Sequence, residues 1–193
     1  MKFNRSIFWK LMAVFAILDL CILMTGCGDW ESQASTIISL LGPAFQALVA
    51  ILAAFGEGVS ASVTTAFNNW AQQAQAALVN IKALIASYKT AAASEQPGIL
   101  GEIEAGVSAL TSNLTPIMDS LHITDPNSQA KFVAGVSAVT AFLAALAALI
   151  PAVSSAKDLK TEKALAVKAE ESGKTFKSQF NAAASYFGPQ YTI

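Results

Sequence analysis

The chain has 193 residues, 54% of them hydrophobic and only 13% charged, with a formal net charge of −1. That length allows one domain with a sizeable core. A single arginine, Arg5, and a single histidine, His122, exclude a nucleic-acid face built on Arg forks and metal sites built on His/Cys clusters.

The first ten residues carry Lys2, Arg5 and Lys10 and no acid. Leu11 to Met24 then forms an apolar run of about fourteen residues, the length of a secretory h-region and too short for a transmembrane helix. It ends in Met24-Thr25-Gly26-Cys27. Small residues followed at once by a cysteine resemble the lipobox of bacterial lipoproteins. The resemblance implies that the Cys27 thiol receives a diacylglyceryl group, that cleavage falls just before it, and that the new amino terminus is acylated. Palmitate-type chains of this kind exceed what stable anchoring needs, at about 0.8 kcal/mol per buried CH₂. An ordinary signal peptide, or an N-terminal anchor helix that happens to carry a Cys, is the alternative. The residue after the cysteine is Gly28, with Asp29 one further on. By resemblance this favours the outer membrane, periplasmic side, in a Gram-negative cell, or the outer face of a single membrane.

Cysteine usage fits the same reading. Cleavage discards Cys21, so the mature chain keeps one sulfur at its first position and forms no internal disulfide. Three parts are expected: a signal peptide over 1–26, an acylated anchor and linker over 27–31, and a helical domain over 32–193. The mature part holds nine Lys and twelve acidic residues, a formal side-chain charge of −3.

The rest predicts an all-α fold. A first segment, about 32–55, carries Ile37, Leu41, Leu48, Ile51 and Phe55 on one stripe. Pro43 has no N–H for the Ser39 carbonyl, so a kink or break is expected at Gly42-Pro43. A second, about 59–92, repeats Val59, Val63, Phe67, Trp70, Ala74, Ala77, Ile81, Leu84 and Tyr88 every three or four residues. Its other side carries Asn68, Asn69, Gln72, Gln73 and Gln75, polar but uncharged. The third follows Ser94-Glu95-Gln96-Pro97, a helix-start signal. It gives an uninterrupted seam of Leu100, Ile103, Val107, Leu110, Leu114, Ile117 and Leu121. The fourth starts at Asp125-Pro126, an N-cap acid before proline. It continues through Phe132, Val136, Val139, Leu143, Leu146, Ile150 and Val153, with Pro151 expected to end or bend it. The fifth, about 158–187, places Leu165, Phe176, Phe180, Ala183 and Phe187 opposite Lys and Glu. Short connections predict an elongated up-and-down bundle of about five helices, with the fourth the most buried.

Two stretches, 32–56 and 132–156, contain no charged residue. The second is long enough to cross a hydrocarbon core. Its small residues, at Ala134 and Ala138 and at Ser137, Ala141 and Ala145, suit close packing in lipid or in a soluble bundle alike. Nine alanines dilute it, which favours the buried reading.

No residue pattern specifies a chemistry. His122 lies near Asp119 and Asp125, but no nucleophile or oxyanion motif accompanies it. Glu102 and Glu104, two apart, face different sides of a helix. The ten charges from Lys157 to Lys177 read as a solvated face. Phe176, Phe180, Tyr186, Phe187 and Tyr191 read as core packing, with partner contact as the alternative. Trp30 suits a membrane interface or linker packing.

The expectation is a non-enzymatic, lipid-anchored bundle of the cell envelope with a structural or protein-interaction role. Cys27 is the site of lipid attachment, and no catalytic residue, metal or cofactor is expected. Asn68, Asn69, Gln72 and Gln73 form the candidate partner face, for an envelope protein or a second copy. The alternatives are a membrane-active or pore-forming protein using 32–56 and 132–156, and a carrier of an apolar ligand held between helices.

Overall fold

The three-to-four spacing of apolar residues is realised entirely as helix. The computed structural model describes residues 30–88, 90–155 and 159–193. Among them are six α-helices: α1 (Trp30–Ile38), α2 (Leu41–Ala54), α3 (Ala61–Tyr88), α4 (Gln96–Asp119), α5 (Pro126–Ser155) and α6 (Leu159–Ala184). Two 3₁₀ turns, Gly56–Gly58 and Pro189–Tyr191, complete the described secondary structure. The signal-peptide reading of 1–26, Cys27 and the residues to Asp29 lie outside the described residues, as does the side chain of Trp30.

The first segment breaks earlier than its proline suggests. The last turn of α1 tightens, with the Leu40 N–H donating to the Ile37 carbonyl at 3.0 Å. Helix α2 then restarts at Leu41, which makes Pro43 its third residue. The first N–H groups of a helix have no internal partner, so the missing donor of Pro43 costs little there. Gly56, at φ +53°, turns the chain after α2 in the left-handed conformation that glycine adopts without strain.

Helix α4 starts where Glu95 and Pro97 indicate. The Glu95 carboxylate reaches back to accept from the Ala92 N–H at 3.3 Å. Helix α5 starts on Asp125, whose carboxylate accepts from the Ser128 N–H at 2.7 Å, an N-cap bond. Of the two outcomes expected at Pro151, an end or a bend, the end does not occur: α5 continues to Ser155.

Helices α3, α4, α5 and α6 run up and down in sequence, each against the next. The α1–α2 rod closes the ring: α1 packs on α6 and α3, while α2 packs on α3, α5 and the C-terminal 3₁₀ turn. All-α, antiparallel and built from five rods, the architecture is the one the seams predict. Leu100, Ile103, Val107, Leu110 and Leu114 are buried, as are Phe132, Val136, Val139, Leu143, Leu146, Ile150 and Val153.

Side-chain volume explains two close approaches. A methyl built on Gly173 of α6 would sit 3.0 Å from Ile37 Cγ2, and one on Gly135 of α5 would sit 3.3 Å from Leu48 Cδ2. Trp70 crosses the α3–α4 seam, its buried Nε1–H donating to the Leu110 carbonyl at 3.0 Å. Its ring meets Phe45 edge-on at 4.9 Å. At the far end from α1's first turn, the Thr124 N–H and hydroxyl both donate to the Gly58 carbonyl, each at 3.3 Å. That carbonyl ties the α2–α3 turn to the α4–α5 turn.

Helix α5 is not uniquely the most buried element. Its large apolar residues point inward, but Val133, Ala134, Ser137, Ala141, Ala144 and Ala148 are exposed. The α1–α2 rod is as apolar: Glu31–Ala54 and Pro126–Ile150 are both long and apolar enough to cross a membrane by length and composition, and each is half buried. Alanine serves either environment, so composition alone did not rank them.

Candidate functional site

The uncharged polar face of α3 follows from its sequence. Its apolar residues Val63, Phe67, Trp70, Ala74, Leu78, Ile81 and Ile85 turn inward, which leaves the amides outside. Asn69, Gln72 and Gln73 are exposed and Asn68 is half-buried. The four candidate residues therefore divide. Asn69 and Gln73 look outward to solvent. Asn68 and Gln72 instead line a groove of about 350 Å³ between α2 and α3.

The other residues of that groove are Gln46, Val49, Ala71 and Gln75. Four amides thus share one concave strip with an alanine and a valine. Within it the Asn68 Oδ1 is shut from solvent and has no hydrogen-bond partner. A buried acceptor without a donor costs about 1–3 kcal/mol, so its presence is informative. Sequence reasoning passed over Gln46 as a groove residue, because its place beside α3 is a tertiary fact. Gln75 was the readable one: Asn68, Gln72 and Gln75 stand at i, i+4 and i+7, a single helical stripe.

Two more grooves flank the outward strip of α5. One, of about 450 Å³, lies against α4 and includes Thr111, Thr115, Met118, Val133 and Ser137. The other, of about 380 Å³, lies against α6 and includes Ala141, Ala145, Lys168, Glu171 and Gln179. A small apolar cavity of about 20 Å³ sits inside the bundle, lined by Ala34, Ile85, Ile103, Ile150 and Leu165 among others. It has room for about one water molecule and no polar group to hold one.

No protein-family model, curated protein or solved structure matches this chain. The functional reading rests on its own residues.

His122, Asp119 and Asp125 all lie exposed around the α4–α5 turn. Asp125 is engaged in capping: hydrogen bonds from the Ser128 side chain and backbone hold its carboxyl below the usual carboxylate range. Among the described residues no three His, Cys, Asp or Glu side chains gather as a metal site. The charged face of α6 carries an exposed Lys174–Glu170 pair at 2.7 Å, one turn apart, worth a few tenths of a kcal/mol.

The C-terminal aromatics separate by depth. Phe176 and Phe180 are fully buried, and Phe176 stacks on Phe142 at 4.7 Å. Phe187 caps the far end against Phe55 at 5.6 Å. Tyr186 turns outward, about half exposed.

Proposed function

We propose that this chain is a lipid-anchored helical bundle of a bacterial cell envelope, held by an acylated Cys27 and acting through protein contact rather than catalysis. The observation that carries the contact reading is the α2–α3 groove, where Gln46, Asn68, Gln72 and Gln75 converge. Amides pair well with the amides of another chain, and four in one strip offer donors and acceptors in both senses. Asn69 and Gln73 extend that surface outward. The occupant is an envelope protein or a second copy of this chain.

Two experiments test the two halves. Membrane fractionation and intact-mass analysis of the wild type beside Cys27→Ala test the anchor; a soluble wild type with an unmodified sulfur ends it. For the surface, Gln46→Ala, Asn68→Ala, Gln72→Ala and Gln75→Ala are combined and envelope partners recovered by crosslinking. Unchanged partners remove the groove from the account.

A second reading, a membrane-active protein, draws on the uncharged outward strip of α5 from Val133 to Ala148 and on the apolar α1–α2 rod. Dye release from liposomes by Cys27→Ala protein lacking residues 1–26 would favour it.

A further inference from the structure

Taking the lipid anchor of the preceding section as given, we infer that the bundle end formed by the first turn of α1, the α3–α4 turn and the start of α6 abuts the lipid headgroups. The α5 strip and the opposite end then face away from the membrane.

The argument begins with reach. Three peptide steps separate Cys27 from Trp30, the first residue of α1, and they span at most about 11 Å. The acylated sulfur lies at the bilayer surface, so the start of α1 lies within that distance of it.

The fold then fixes what accompanies α1. The residues lining the small internal cavity come from every rod, among them Ala34, Ile85, Ile103, Ile150 and Leu165. These five share one level of the bundle. Ala34 is in the first turns of α1, Ile85 in the last turn of α3, Ile103 in the second turn of α4, Ile150 near the end of α5 and Leu165 in the second turn of α6. The turn from Thr90 to Glu95 therefore belongs to the anchored end, and its exposed face includes Ala92, Ala93 and Ser94.

Reach also decides which side is excluded. In a ring of five helices spaced about 10 Å apart, the side opposite α1 is formed by α4 and α5, with its outer surface roughly 20 Å from the α1 axis. A bundle lying on that side would hold α1 about twice as far from the bilayer as the tether extends. The uncharged α5 strip thus cannot rest on the membrane that holds Cys27.

Among the described residues, the remaining sides carry no cluster of large exposed apolar side chains that would seat in the bilayer. The outward residues of the α1–α2 rod are polar or small, Ser32, Thr36, Ser39 and Gln46 alternating with Pro43, Ala50, Ala53 and Ala54. Helix α6 exposes Lys and Glu, including Lys174 and Glu170. The distal end is acidic: residues 55–60, 119–131 and 184–193 hold Glu57, Asp119, Asp125 and one lysine, Lys131. An anionic leaflet repels it within a Debye length. With α3 spanning 28 residues, or about 42 Å at 1.5 Å each, the distal turns stand well clear of the headgroups.

The test uses the full-length chain, processed in cells. Cleavage removes Cys21 and acylation consumes the Cys27 thiol, so one introduced cysteine is the sole labelling site. Ala92→Cys (anchored end), Ala50→Cys (α2 side), Ala141→Cys (α5 strip) and Asn127→Cys (distal end) replace exposed residues. Each is labelled with a fluorophore and reconstituted in phosphatidylethanolamine–phosphatidylglycerol vesicles carrying headgroup nitroxides. The expected result is quenching several-fold stronger at Ala92→Cys than at the other three. Equal quenching at all four, or quenching at Ala50→Cys, Ala141→Cys or Asn127→Cys matching that at Ala92→Cys, overturns the orientation. Intact mass separates the two failures: acylated Cys27 with uniform quenching sinks only the orientation, and an unmodified Cys27 removes the anchor and the orientation together.

Discussion

Replacing Gly173 by alanine adds one methyl where α6 meets α1. That methyl would lie 3.0 Å from Ile37 Cγ2 and 3.1 Å from Cγ1. Both atoms are bonded to the Ile37 Cβ, so the side chain cannot swing its far end aside. Ile37 is itself buried, which leaves backbone movement as the relief. Overpacking of this kind costs about 1–3 kcal/mol. Against it stands the helix-propensity gain of alanine over glycine, about 1 kcal/mol. The net expectation is a loss of up to about 2 kcal/mol. Gly101→Ala supplies the control, because a methyl on Gly101 in α4 meets nothing within 4 Å; it should gain about 0.5–1 kcal/mol. Urea unfolding of residues 27–193 bearing Cys27→Ala, followed by far-ultraviolet circular dichroism, reads both. A parallel thermal scan should separate the two variants by several degrees, at about 2–4 °C per kcal/mol for a chain of this size. Ile37→Ala combined with Gly173→Ala should be less than additive, since the clashing carbons are gone. If Gly173→Ala gains as much as Gly101→Ala, α1 does not seat on α6 and the reasoning fails.

Trp70→Ala should cost about 3–5 kcal/mol by the same assay. Trp70→Phe should cost about 1–2 kcal/mol, for a lost hydrogen bond to Leu110 and a small void; a Phe variant as stable as wild type would remove that bond from the account. Asn68→Leu deletes an unpaired buried acceptor, so stability should hold or rise while partner recovery falls; a loss above about 1 kcal/mol would show the amide to be satisfied. Asp125 has a lowered carboxyl pKa in the fold, so its contribution is present above the unfolded value, near 3.8, and is lost as pH falls through the lower folded value. The difference in melting temperature between wild type and Asp125→Ala should therefore shrink on acidification below about pH 4; a difference that widens contradicts the capping role.

The seams were legible because each is long and regular. Leu100 to Leu114 repeats in alternating steps of three and four, and only one helix face accommodates that. Asp125-Pro126 was equally plain, since a carboxylate and a preset φ both favour a helix start. The break was expected at Gly42-Pro43 and falls three residues earlier, at Ser39-Leu40, beside the Ser39 carbonyl that Pro43 leaves without a donor. Proline is tolerated in a first turn, so the helix relocated its ends around it. The site was half readable. The α3 stripe announces Asn68, Gln72 and Gln75, but only the docking of α2 brings Gln46 beside them. The outward turn of Ala141 and Ala144 was hidden for a related reason: alanine carries too little apolar area to declare a side.

Helix α1 finishes its packing against the last helix in the chain, with Ile37 against Gly173. Contacts so distant in sequence close slowly, because the intervening chain must first be ordered. A polypeptide emerging amino end first thus leaves its opening helix with its α3 contact, but without its larger α6 one, until synthesis is nearly finished. The ring therefore stays open until the end of the chain arrives, and the final helix is the latch that closes it.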